Sequence, residues 1–151
     1  MTTGIHQVEA NLPIHHVWLF VRELNNWAPL IPGYLEHKMV SERQSTWKFT
    51  GDAGFIKKTV HMSLDITEWN RPTKITFDLV GLNEKFVGKG YFEATSLSEQ
   101  KTRITGCLRI TAKGMMGPMI NSVLKTIIPK VTREFTTAVA LEMTQVEKMP
   151  T

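Results

Sequence analysis

The last third of the chain constrains the fold most, because it combines strands with one long and mostly apolar helix. Between Met119 and Val146, apolar residues recur at spacings of three and four, which is typical of a helix with a broad buried stripe. The members of this stripe are Ile120, Val123, Leu124, Ile127, Ile128, Val131, Phe135, Ala138, Val139 and Met143. A single helix this apolar requires a sheet that curls around it.

Upstream of this helix the apolar pattern changes to a period of two, which predicts six strands between residues 34 and 113. A further strand at about Ile5–Leu12 and two short helices precede them; Pro13 suits the start of the first helix and Asn26 the cap of the second. Glycine, which permits sharp bending, recurs on inward faces at Gly88, Gly90 and Gly106. The element order predicts an α+β fold with one antiparallel, cup-shaped sheet.

Length and composition indicate a single globular domain over residues 1–151, with 42% hydrophobic and 21% charged residues. Cys107 cannot pair within the chain, and no cluster of Cys and His has zinc-ligand spacing. We therefore expect no metal and no cofactor, and a cytoplasmic location. We also expect neither a signal peptide nor a membrane-spanning segment.

Three motifs carry a family resemblance, namely LPIHHVW at Leu12–Trp18, WAPLIPG at Trp27–Gly33 and DITEWNRP at Asp65–Pro72. Together with the closing helix they resemble the SRPBCC superfamily, which includes StAR-related lipid transfer (START) domains, polyketide cyclases and plant allergen-type proteins. Within it, the chain is most similar to the carbon monoxide dehydrogenase G-subunit family, whose members share the Val-Trp pair and the Ile-Pro-Gly element. The resemblance covers nearly the whole chain.

This resemblance implies the helix-grip fold, a seven-stranded antiparallel sheet around the C-terminal helix with a deep apolar cavity between them. It supplies no catalytic residue, and we assign none. Longer members of the G-subunit family carry a C-terminal extension with a membrane-anchoring segment. The present sequence closes with a short polar tail at Thr151, so we do not expect a built-in anchor.

The residues predicted to line the cavity and bind a ligand face inward on the strands or lie near the start of the helix. They are His37, Trp47, Phe49, Met62, Leu64, Phe77, Leu79, Phe86, Phe92, Met116, Met119, Ile120, Val123, Leu124 and Ile127. Met115 and Met116, set between glycines, suit a mobile lip over the cavity, although methionine also commonly fills gaps in a core. Pro129 is expected to kink the helix, which either follows the curvature of the sheet or widens the cavity.

His37 is the one inward histidine, because it alternates in phase with Leu35 and Met39. It is a candidate for a polar contact to a ligand head group, the alternatives being a core histidine bonded to backbone or a shifted register. His6 and His61 are predicted to point outward into solvent. We find no pair of inward carboxylates suited to general acid–base catalysis.

The outer face of the sheet is predicted to carry a set of basic residues: Lys48, Lys85, Lys89, Arg103, Arg109 and Lys113. Such a face is either solvated or a dock for an acidic protein or an anionic membrane. Nucleic acid is excluded as a partner, because no aromatic residues interleave with these charges.

These observations rank three functions. The first is non-enzymatic binding or transport of an apolar or amphipathic small molecule, such as a lipid, a quinone or a polyketide-like compound. The second, implied by the resemblance, is an accessory role for a molybdenum hydroxylase such as carbon monoxide dehydrogenase. The third is a polyketide cyclase-like enzyme, for which only His37 offers an inward acid or base.

Overall fold

The computed structural model describes residues 2–52 and 57–148. The chain begins with strand β1 (Thr2–Ala10), helices α1 (Ile14–Val21) and α2 (Leu24–Trp27) and a 3₁₀ turn at Ala28–Leu30. Six strands and a long helix follow: β2 (Tyr34–Met39), β3 (Gln44–Asp52), β4 (Lys57–Asn70), β5 (Lys74–Gly81), β6 (Phe86–Ser98), β7 (Lys101–Ala112) and α3 (Gly117–Lys148). This order confirms the predicted α+β, helix-grip fold.

All seven strands form one antiparallel sheet in the order β1-β7-β6-β5-β4-β3-β2, so that the first strand pairs with the last. The register shifts beside Leu35, Thr67 and Leu97, in β2, β4 and β6. Bulges of this kind bend a strand and increase its twist, and they help to curl the sheet.

The bulge in β2 overturns one prediction about which side chains face inward. Leu35 was expected inside but is 53% exposed, and Tyr34 instead lies opposite Phe49 of β3. His6 was expected outside but lies opposite Gly106, on the same face of β1 as the buried Gly4. The side chain of Asn26 caps no helix and instead donates to the carbonyl of Phe20 at 3.0 Å.

Helix α3 packs against β1 and β7, where two glycines allow a close approach. A Cβ added at Gly106 would overlap Oγ1 of Thr136 and lie 3.1 Å from its Cβ. At Gly4 an added Cβ would overlap Oγ1 of Thr132 and lie 2.7 Å from the carbonyl oxygen of Ile128. The second half of α3 is therefore seated directly on the backbone of the sheet.

Candidate functional site

The centre of the molecule is occupied by Trp27, the last residue of α2, which is fully buried. Its indole N–H donates to the carbonyl of Val21 at 2.8 Å, which fixes the ring. Four aromatic rings surround it with centroids 5.2–6.2 Å away, from Trp47, Phe77, Phe92 and Phe135. We call these five side chains the aromatic cluster. Sequence patterns did not assign Trp27 to the interior, although its place in the WAPLIPG motif was a signal.

The aromatic cluster closes the space that was predicted to be a deep cavity. Beside Phe77, Phe92 and Phe135 of this cluster lies a space of about 10 Å³, and a second of the same volume lies beneath α1; each is close to the least that holds one water molecule. The inward glycines do make room, but side chains take it up: a Cβ at Gly90 would overlap the ring of Phe77, and one at Gly106 would overlap Thr136. The prediction of an open cavity is therefore wrong for this structure.

The predicted lining residues separate into three groups by burial. Those in the core are Trp47, Met62, Leu64, Phe77, Leu79 and Phe92. Those half-buried are His37, Phe49, Phe86, Leu124 and Ile127. Those exposed are Met116, Met119, Ile120 and Val123, all near the start of α3. The exposed group is unexpected, because side chains that line a closed core would be covered.

The two halves of α3 differ in how much apolar surface they bury. In the second half Phe135, Val139 and Met143 are at most 4% exposed. In the first half Ile120 and Val123 are 37% and 38% exposed. Ile120, Leu124, Ile128, Val131 and Phe135 follow one another at spacings of three or four, so they share one face of the helix. An apolar stripe thus leads from the surface to the aromatic cluster.

The first half of α3 is also held more lightly than the second. Asn121 tethers it to the end of β7: its amide donates to the carbonyl of Ala112 at 3.1 Å, and its Oδ1 accepts from the backbone N–H of Ala112 at 2.8 Å. Pro129 lies between the two halves and has no N–H to donate to the preceding turn. The helix is therefore weakened at the boundary between its free and its seated parts.

His37 belongs to a chain of side-chain hydrogen bonds at the rim of the sheet. Tyr34 donates its hydroxyl to Nδ1 at 2.7 Å, and Nε2 donates to Oδ1 of Asn25 at 2.7 Å. This arrangement uses the neutral imidazole, and burial lowers the pKa of His37 below its usual value. His37 faces inward beside Trp47, as predicted, but both ring nitrogens are already occupied. Its contact with a ligand head group stays a prediction.

The outer face of the sheet is less uniformly basic than predicted. Lys48 pairs with Glu36 at 3.2 Å, and Lys89 lies 3.9 Å from Asp78. Cys107 lies on this face, opposite the exposed Ile5, but is buried. No helix of the described ranges has the length and apolarity to cross a membrane. Residues 2–52 and 57–148 contain no group of three or more His, Cys, Asp or Glu side chains arranged to hold a metal ion.

Comparison with known proteins supports the architecture. One protein-family model matches residues 1–147, which is nearly the whole chain. The chain belongs to this family. The family model specifies neither a ligand nor a reaction. No curated protein matches the chain in sequence.

Three solved structures have the same fold over nearly the whole chain. The Zhui aromatase/cyclase from Streptomyces sp. R1128 has 15% identity and a TM-score of 0.71, covering 97% of this chain and 95% of its own. A START superfamily protein from Mycobacterium smegmatis has 12% identity and a TM-score of 0.69, covering 97% and 99%. Truncated norcoclaurine synthase from Thalictrum flavum has 11% identity and a TM-score of 0.69, covering 99% and 95%. At this identity the likeness shows the helix-grip fold and nothing about the ligand.

Proposed function

We propose that the protein binds an apolar or amphipathic small molecule between the first half of α3 and the inner face of the sheet, without transforming it. The observation that carries this proposal is the apolar stripe of α3, which is exposed at Ile120 and Val123 and leads to the aromatic cluster. Covering apolar surface contributes about 25 cal/mol per Å² before the costs of association. A lipid, a quinone or a polyketide-like compound has the matching chemistry.

Entry of such a ligand requires the closed interior to open. The segment from Gly117 to Ile127 is the part that moves in our proposal, since Asn121 supplies its two tethering hydrogen bonds and Pro129 interrupts the helix behind it. The part of α3 from Ile128 onward stays seated on Gly4 of β1 and Gly106 of β7.

Binding is favoured over catalysis by the polar groups of the interior. Apart from the tryptophan indoles and the thiol of Cys107, the buried polar side chains of the described residues are hydroxyls, those of Ser45, Thr102, Thr105, Thr132 and Thr136. None of these hydroxyls titrates near neutral pH, and His37 is already hydrogen-bonded at both nitrogens. A cyclase would need an acid or base that faces its substrate. An accessory role for a molybdenum hydroxylase stays a prediction from the resemblance, as does a cytoplasmic location.

The proposal is tested by titrating the protein with a short-chain quinone, following the intrinsic tryptophan fluorescence to which Trp27 and Trp47 contribute, and with an apolar fluorescent dye, following the emission of the dye. Ile120→Glu places a charge on the exposed stripe and is expected to weaken binding at least tenfold. Leu141→Glu is the matched control, because Leu141 is 58% exposed on the opposite end of the same helix. Equal affinity of the two variants would refute the proposal.

A second measurement does not depend on the choice of probe. Mass spectrometry of an organic extract of the purified protein is expected to find a co-purified apolar compound that is missing from the Ile120→Glu extract. If the quinone and the dye do not bind and the extract is empty, the proposed function is wrong.

A further inference from the structure

The loop between β7 and α3 carries two exposed methionines, Met115 and Met116, and the first turn of α3 carries a third, Met119. Met115 is 99% exposed, and Met116 and Met119 are each 55% exposed. We call these three side chains the methionine lip. Soluble proteins rarely leave neighbouring large apolar side chains uncovered unless the patch contacts a partner. Gly114, with φ of +82°, makes the turn that projects the lip beyond the end of the sheet.

Lysines adjoin the methionine lip. Lys113 directly precedes Gly114, and its backbone N–H donates to the carbonyl of Lys85 at 2.7 Å. A Cβ added at Gly114 would lie 3.1 Å from Cδ of Lys85, so the Lys85 side chain passes alongside the loop. The nearby carboxylate of Glu84 is paired with Lys58 at 3.0 Å. Neither Lys85 nor Lys113 has an ion-pair partner among the described residues.

The charge pattern of the surrounding sequence has the same sign. From Lys101 to Arg133 the chain contains seven lysine and arginine residues and no aspartate or glutamate. The first half of α3 contributes Lys125 and Lys130 to this set and has an exposed apolar side at Met119, Ile120 and Val123. Helices of this kind are typical of surfaces that lie on anionic membranes.

We propose that the methionine lip, with Lys85 and Lys113, is a docking surface for an anionic lipid bilayer. The methionines enter the boundary between head groups and acyl chains, and the lysine ammonium groups lie at the level of the lipid phosphates. A protruding and irregular apolar loop suits a bilayer, which adapts to its shape. A protein partner would need a complementary pocket. This surface goes beyond the proposed function, because it does not require a ligand inside the protein.

The experiment is co-sedimentation of the full chain with vesicles of phosphatidylcholine alone or of phosphatidylcholine mixed with phosphatidylglycerol. We expect binding to the mixed vesicles only, weakened by salt. The double variant Met115→Asp/Met116→Asp is expected to lower the partition coefficient at least tenfold. Each of Lys85→Gln and Lys113→Gln is expected to lower it about fivefold.

Matched controls lie elsewhere on the molecule. Leu141→Asp removes an exposed apolar side chain far along α3, and Lys101→Gln removes an exposed lysine at the opposite end of β7. Both are expected to bind like the wild type. Failure to bind the mixed vesicles, or equal losses in the control and lip variants, would overturn the proposal. So would binding that survives the lip substitutions but is lost on changing Lys89 and Arg109 of the outer face.

The two proposals can be refuted independently of each other. If the protein binds vesicles but no quinone, dye or extracted compound, the docking surface is supported and the proposed function is refuted. The opposite result keeps the ligand site and rejects the lip as a membrane contact.

Discussion

Replacing Gly106 with alanine tests how α3 is seated on the sheet. The added Cβ would overlap Oγ1 of Thr136, and rotation of that side chain gives little relief because Cβ and Cγ2 of Thr136 would lie only 3.1 and 3.2 Å away. Overpacking of this kind costs about 1–3 kcal/mol. Alanine regains about 0.5–1 kcal/mol over glycine within a strand. We expect a net loss of roughly 1 kcal/mol, within limits of about 0–2.5 kcal/mol, with a fall in Tm of about 2–4 °C for each kcal/mol lost.

The double variant Gly106→Ala/Thr136→Ala makes this reasoning falsifiable. Thr136→Ala alone loses a buried methyl group, worth about 0.8 kcal/mol, beside the small space that Gly106 and Thr136 both border. In the double variant the new methyl enters the vacated volume, so its free energy of unfolding should exceed the additive value by at least about 1 kcal/mol.

The assay is urea unfolding followed by tryptophan fluorescence, which reports the loss of the core because Trp18, Trp27 and Trp47 are at most 5% exposed. Gly51→Ala is the matched control, since its added Cβ would make only an ordinary contact at 3.4 Å with Val60. This control should unfold at the same urea concentration as the wild type or slightly above it. A coupling free energy below about 0.5 kcal/mol between positions 106 and 136 would refute the close seating of α3.

Three further predictions concern the tether, the aromatic cluster and the rim. Asn121→Ala removes both hydrogen bonds to Ala112 and should lower the free energy of unfolding by about 1–2 kcal/mol. Amide hydrogen exchange should become faster in residues 117–127 but not in residues 132–146. A uniform increase in exchange along α3 would contradict the division of the helix into two parts. Trp27→Ala should cost about 3–5 kcal/mol in urea unfolding and create space for an apolar dye, so a loss below about 1 kcal/mol would show that the indole does not fill the core. Burial lowers the pKa of His37, so the unfolded chain takes up a proton more readily than the native one. The free energy of unfolding should therefore fall as the pH drops through 6.5, the ordinary pKa of histidine, and should level off below the pKa of His37 in the native protein. The variant His37→Gln should flatten this pH dependence. An unchanged pH profile in this variant would exclude His37 as its source.

The periodic patterns of the sequence predicted the elements and their order well. The alternation of Met62, Leu64 and Ile66 matches their burial in β4, because the strand period follows directly from the backbone. The long stripe in the last third likewise predicted α3, which starts at Gly117, two residues before the expected position. Strand β1 was misplaced by three residues at its start, since the period of two does not mark where pairing with β7 stops.

The candidate site was predicted less completely, because it depends on contacts between distant residues. The alternation of side chains along β2 correctly predicted that His37 faces inward. Nothing in the local sequence indicated that Asn25 and Tyr34 would form hydrogen bonds with both of its ring nitrogens. The same alternation gave the wrong prediction at Leu35. A bulge inserts one residue there, so the side chains of the strand before it point to the opposite face of the sheet. The lysines of the outer face were visible in the sequence, but their carboxylate partners on neighbouring strands were not.

The sequence by itself determined that a bent antiparallel sheet grips one apolar helix, since hydrophobic periodicity and inward glycines are local properties of the chain. Only the tertiary structure decided whether that grip encloses open space. Whether an inward glycine leaves a void depends on which side chain from elsewhere reaches it, and here Phe77, Thr136 and the indole of Trp27 do so. The same packing leaves the first half of α3 and the methionine lip uncovered, and there we place the function.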